Sequence, residues 1–217
     1  MAEPRGLFIV FEGGDGVGKT TQLALLAEHL RRAGHEVVVT REPGDTPAGA
    51  VIRRLLLDPA TGDLDPRAEA LLYAADKAQH LAQVVRPALE RGAMVVCDRY
   101  VDSMLAYQGA GRVLDVAEVA AIADWATRGL HPDLTVLLDL DPALAVGQIA
   151  DKDRLEDAGD EFHLRVRQGF LALAGADPDR YLVLAARDTR ERIAARVAEA
   201  VAARQAAVSV APGRLAP

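Results

Sequence analysis

The chain has 217 residues, 50% of them hydrophobic and 26% charged, with a formal net charge of −7 at pH 7. That length suits a single domain, 1–217, with a sizeable core, and the acidic balance argues against non-specific nucleic-acid binding, which calls for a basic face. No apolar run reaches the roughly 18 residues of a membrane span, MAEPRG lacks a signal-peptide pattern, and one cysteine, Cys97, allows no intrachain disulfide, so a cytoplasmic setting is expected.

In chain order, strands are expected at 7–12, 36–40, 93–97, 134–140 and 181–186, all near-continuous apolar runs of the kind covered on both faces. Helical patterns alternate with them, the signature of βαβ units on a parallel sheet. The first runs from Thr20 to about Arg32, burying Leu23, Leu26, Ala27 and Leu30 and ending at Gly34. A long pattern from Pro66 has Ala68, Leu71, Leu72, Ala75, Ala78, Leu81, Ala82 and Val85 as its apolar set, with Pro87 expected to bend or interrupt it. Asp115 and Glu118 form a capping-box-like start for a helix ending at Gly129. Ile193, Val197 and Val201 stripe the last helix, and residues 205–217 are expected to fray.

Between the first strand and first helix stands Gly13-Gly14-Asp15-Gly16-Val17-Gly18-Lys19-Thr20-Thr21. The spacing G-x-x-x-x-G-K-[ST] is that of a phosphate-binding loop, and it has the flanking strand and helix the motif requires. Its glycines let backbone N–H groups turn inward on a polyphosphate while the helix N-terminus aims its dipole at the same place. Lys19, expected at the surface of the site, would reach the terminal phosphates, and the Thr20 hydroxyl would hold Mg²⁺. A nucleoside triphosphate is the implied ligand. Asp98, at the end of the third strand, reads as a second Mg²⁺ contact or as a cap on the next turn.

The ordered segments TREPGDT (40–46), EALLYAADKAQH (69–80), DRYVDSMLAYQGAGR (98–112) and DKDRLED (151–157) resemble those of the bacterial thymidylate kinases, over about residues 6–186. The resemblance implies an α/β fold of the P-loop NTPase type, three layers with a five-stranded parallel sheet flanked by helices and a short lid at about 146–160. It also implies transfer of the γ-phosphoryl of ATP to dTMP with Mg²⁺, in a homodimer. By the same resemblance Asp15 would accept a hydrogen bond from the deoxyribose 3′-OH, and Tyr73 would stack on thymine or else pack in the core. Arg99 and Arg53, with Arg41 as a further candidate, would grip the acceptor phosphate, a task that suits a planar fork; Arg54 is read as a solvated helix charge. Gln108 would face the thymine edge, and Glu42 would orient the arginines or bind water near Mg²⁺. A phosphate monoester is already largely ionised at pH 7, so no general base is needed. The five histidines accordingly read as structural or solvated.

Several positions depart from the family pattern. Gly16 follows Asp15 where a basic residue can stand, and Val146 and Gln148 occupy places where lid arginines are expected, leaving Lys152 and Arg154 for the transferring phosphoryl. Lys77 stands where an arginine usually bonds the thymine ring, and Met104 where a small polar residue is common. Alternative readings are a kinase of another or modified pyrimidine nucleotide and a weakly active nucleotide sensor. No N-K-x-D guanine signature follows the fourth strand, which disfavours a GTPase.

Overall fold

The computed structural model describes residues 5–145 and 159–210. Five strands, β1 (Phe8–Glu12), β2 (Val37–Arg41), β3 (Met94–Asp98), β4 (Leu134–Asp139) and β5 (Tyr181–Ala185), pair in parallel in the order β2-β3-β1-β4-β5. All five strands stand where the sequence places them, within a residue at each end. The sheet has helices on both faces, so β1 is buried throughout and its side chains alternate between two layers. Leu7, Ile9 and Phe11 point to one layer with Leu23, Leu26, Ile193 and Val197, while Phe8 and Val10 point to the other with Leu81, Val85 and Leu89.

Helices α1 (Lys19–Arg32), α2 (Pro47–Leu57) and α3 (Pro66–His80) follow in order. A π-helical turn, Leu81–Val85, then leads straight into α4 (Arg86–Glu90). The wider turn accommodates Pro87, which has no N–H to give to the ladder, so the chain stays helical across it. A short α5 (Val101–Met104) continues as a second π-helical stretch, Leu105–Gly111. Next come α6 (Val116–Thr127), α7 (Pro142–Ala145), α8 (Asp160–Ala176) and α9 (Arg190–Val210). Asp115 caps α6 by accepting from the Ala117 N–H at 2.8 Å, as its position in the sequence suggests.

Two expectations are corrected. The last helix continues to Val210, past the predicted onset of fraying at 205; residues 211–217 lie outside the described residues. The inward face of α3 is only in part the apolar set, of which Leu72 and Ala78 pack against the core. Ala68, Leu71 and Ala75 face solvent, with Leu71 57% exposed, whereas Glu69, Asp76, Lys77 and His80 are buried beside Ala70, Tyr73 and Ala74. Hydrophobic periodicity misplaces this face because each buried polar group there has a partner on another element, which removes most of the cost of leaving water.

Most lid positions, Val146, Gln148, Lys152 and Arg154 among them, lie outside the described residues. What the fold does place is a crevice at the carboxyl ends of β1, β2 and β3, where open α/β sheets hold their ligands. The register sets Asp98 level with both Phe11 and Arg41, so β3's terminal acid stands beside the loop that leaves β1.

Candidate active site

The loop leaving β1 turns at once into α1. Gly13, Gly16 and Gly18 all have positive φ, and a Cβ on Gly13 would lie 2.4 Å from the Leu138 carbonyl oxygen of β4. Only glycine permits that approach. Lys19 is buried, a correction to its expected surface position. It reaches back across its own loop, donating to the carbonyls of Gly13 at 3.1 Å and Gly14 at 2.5 Å. Burial, with Arg99 nearby, pulls its ammonium down to about 8. A polyphosphate in the loop would reverse that bias.

Asp15, Gly16, Val17, Gly18, Lys19, Thr20 and Thr21 line a cavity of about 450 Å³, closed on its far side by Arg41, Glu42, Arg53, Asp98 and Arg99. One Asp98 carboxylate oxygen is buried there without a hydrogen-bond partner. An orphaned carboxylate oxygen sharing a cavity with the Thr20 hydroxyl is an oxygen donor set suited to Mg²⁺, which is held by one or two side chains together with phosphate and water. Among the described residues no group of three or more His, Cys, Asp or Glu side chains could hold a metal by itself.

A second cavity opens off the first, lined by Tyr73, Lys77, Met104, Tyr107 and Gln108. Asp15, Glu42, Arg53 and Arg99 line both, so these four mark the passage between them. Arg99 takes a strained conformation there, with φ at +69° in a non-glycine residue. Its guanidinium is fixed by the Asp15 carboxylate, by the Gly13 carbonyl at 3.0 Å and by Ser103 Oγ at 3.1 Å, and it lies over the Tyr107 ring. Burial works to raise the Asp15 carboxyl, but Arg99 and Lys19 outweigh it and hold the group down at about 2. Arg53 also reaches the passage and donates to the Pro43 carbonyl at 2.8 Å, while its neighbour Arg54 is exposed, as a solvated charge should be.

Tyr73 packs in the core and also lines the second cavity. Among the described residues Glu42 is held by two groups of α3, Lys77 at 2.9 Å and His80 at 2.7 Å, and by no arginine. Burial would raise its carboxyl, but those partners hold it below its ordinary value. His80 Nε2 also bonds Thr40 Oγ1 at 2.6 Å, so this histidine is structural. Lys77 lines the second cavity with its ammonium engaged on Glu42 and close to the Tyr73 ring.

Four contributors escaped the sequence reading. Glu12, wholly buried, accepts from the N–H groups of Tyr100 and Ser103 and from Ser103 Oγ, tying the end of β1 to the turn that carries Arg99. Burial first, and Asp102 second, push its carboxyl up to about 7. Tyr107 donates to Asp15 at 3.0 Å. Glu69, fully buried, pairs with the partly exposed Arg112 and accepts from Gln108. An acid ending an otherwise apolar strand was the available signal for Glu12; the others are juxtapositions that only the fold creates.

A family model for thymidylate kinase matches residues 11–197. Over 196 residues the chain is 61% identical to the thymidylate kinase of Cutibacterium acnes, covering 90% of this chain and 96% of that one. Over 203 residues it is 55% identical to the thymidylate kinase of Deinococcus radiodurans, covering 92% and 98%. The crystal structure of thymidylate kinase from Ehrlichia chaffeensis matches it with a TM-score of 0.77 at 33% identity, over 92% of this chain and 100% of that one. With the loop, the strand-end acid and the paired cavities in place, this chain belongs to the thymidylate kinase family.

Proposed function

We propose that the chain transfers the γ-phosphoryl of ATP to dTMP, giving dTDP and ADP, with ATP in the glycine-loop cavity and dTMP in the second. The observation that carries this reading is the passage between the cavities, which Arg53 and Arg99 line from both sides, with Lys19 in the adjoining glycine-loop cavity. Two polyanions meeting end to end need neutralisation and alignment more than proton transfer. Gly13 to Thr21 cradle the triphosphate, Lys19 follows the charge developing on the transferring group, and Arg99 with Arg53 holds the acceptor phosphate. Thr20 and Asp98 would hold Mg²⁺, which would supply positive charge against the β- and γ-phosphates. Asp15, locked to Arg99, takes the deoxyribose hydroxyl, Tyr73 flanks the base, and Gln108 and Lys77 meet its polar edge. Arg154, with Lys152 secondary, supplies lid charge.

A homodimer and a cytoplasmic location belong to the same reading. The dimer is supported by exposed apolar side chains, Val51, Leu55, Leu71 and Trp125, on α2, α3 and α6, helices that pack side by side. A coupled assay of ADP formation with dTMP, dUMP, dCMP, UMP and dGMP tests the function. Preference for dTMP is expected. A preference for UMP or dGMP would replace this reading with that of another nucleotide kinase.

A further inference from the structure

Gln108 is the neutral amide at the base end of the second cavity, and an amide recognises a base only if its oxygen and nitrogen are kept in order. In most proteins that order is set by whatever the side chain happens to meet. Here it is imposed. Gln108 Nε2 donates to Glu69 Oε1 at 3.0 Å, and Glu69 is entirely buried in α3. Arg112 donates to the same carboxylate through Nε to Oε1 and Nη2 to Oε2, each at 3.2 Å. Arg112 is itself held in place: its N–H bonds the Tyr107 carbonyl at 2.9 Å, and its guanidinium lies over the Phe162 ring.

A guanidinium is a donor only, and a carboxylate that it grips at both oxygens is an acceptor only. Gln108 therefore cannot present its carbonyl to Glu69, and the flipped amide would set two acceptors against each other inside the protein. With nitrogen committed to Glu69, the carbonyl oxygen is the acceptor of the amide's free edge. That edge complements a pyrimidine whose N3 bears hydrogen beside a 4-keto oxygen, as in thymine and uracil. Cytosine presents the reverse, an acceptor at N3 beside a 4-amino donor. Lys77, lining the same cavity, is likewise a donor only and so also disfavours a 4-amino group.

We propose that Glu69 and Arg112, neither of which lines the cavity, are specificity-determining positioning residues: by fixing the Gln108 amide they make the acceptor site select imide pyrimidines over cytosine. The proposal rests on dTMP kinase activity as the function of this site. It differs from a packing role in one respect: it concerns discrimination at N3 and C4 alone. Thymine and uracil share that edge, so their relative use must not depend on the pair.

The test is kcat/KM for dTMP, dUMP and dCMP, with ATP and Mg²⁺, in the parent chain, Glu69→Gln, Gln108→Leu and the double variant. The amide introduced by Glu69→Gln can turn either a donor or an acceptor to Gln108, so the dTMP-to-dCMP ratio should fall about tenfold or more, the scale of one mismatched buried hydrogen bond. The dTMP-to-dUMP ratio should stay as in the parent. Gln108→Leu should lower the first ratio to a similar level, with no further fall in the double variant. Should Glu69→Gln not fold, Arg112→Met, which removes the guanidinium that grips both Glu69 oxygens, is expected to lower the same ratio. An unchanged dTMP-to-dCMP ratio, equal movement of both ratios, or additive losses in the double variant would each overturn the proposal. If the parent chain does not phosphorylate dTMP at all, the functional reading falls and this inference falls with it; if it does and the ratio is insensitive, only this inference falls.

Discussion

Around Lys19 one wall of the cavity is a single consecutive run, Asp15 to Thr21, whereas around Gln108 the wall is made of side chains held by other side chains. The glycine loop needs only a strand, a few residues with positive φ and a helix N-terminus to gather N–H groups on a polyphosphate. The second cavity is held by Glu69, Lys77 and His80 of α3 with Arg112 and Glu42 from two other segments, each satisfied by another. The difference separates two tasks. A phosphate is recognised by charge and can be met by backbone; a base is recognised by the order of its donors and acceptors, which only fixed side chains can read. Losses on the donor side should therefore fall on turnover, and losses on the acceptor side on KM and selectivity.

The largest break should come from Lys19→Ala. Turnover is expected to drop by roughly three orders of magnitude or more, as for loss of a preorganised charge on the transferring group, while dTMP binding by calorimetry stays near that of the parent. The fold should not suffer. The Lys19 ammonium is pulled down to about 8 by burial, so in the folded state its charge is destabilising below that pH, and stability rises as pH climbs from about 8 toward the ordinary lysine value. Thermal unfolding at pH 7 should give a midpoint equal to or above that of the parent. Next in size is Arg154→Ala, which should lower single-turnover rates by about two to three orders of magnitude, leaving dTMP affinity alone. A rate equal to the parent's would remove the lid cation from the account.

On the acceptor side, Arg99→Lys should raise the dTMP KM and lower turnover by about tenfold to a hundredfold, since a point charge cannot replace the fork. The ATP KM should hardly move; a shift confined to ATP would place Arg99 with the donor. The smallest effect is one of pH. Glu12 is pushed up to about 7, so its contribution to stability is present below the ordinary carboxylate value and is lost as pH rises through about 7. Glu12→Gln should flatten the fall in unfolding midpoint between about pH 4.5 and 7, and the difference from the parent checks it. A slope unchanged by the substitution would mean that Glu12 does not titrate there.

The same contrast explains what could be read from the sequence. Five strands, α1 and the glycine loop are local patterns, and each is written within a few consecutive residues, from Leu7 to Thr21 above all. Asp98 was legible from its place at a strand end, Arg99, Tyr73 and Gln108 through the resemblance to a family, and the fold brings them to the two cavities. The inward face of α3 was misplaced because Leu71 and Ala75 satisfy a helical period as well as Tyr73 and Lys77 do. Nothing local reveals that Glu69 meets a guanidinium 43 positions later, or that Glu12 reaches Ser103 across 91. Buried polar pairs of this kind have no period. They exist only once the sheet order has set β1 beside β3.

The central claim is that the two cavities exchange a phosphoryl group rather than merely hold two nucleotides. ³¹P NMR of a mixture of the full chain, ATP, Mg²⁺ and dTMP follows both nucleotides in one tube. The account predicts that dTDP and ADP signals grow together in equal amounts while free phosphate stays flat. ADP accompanied by inorganic phosphate, or an unchanging spectrum at saturating nucleotide, would contradict it.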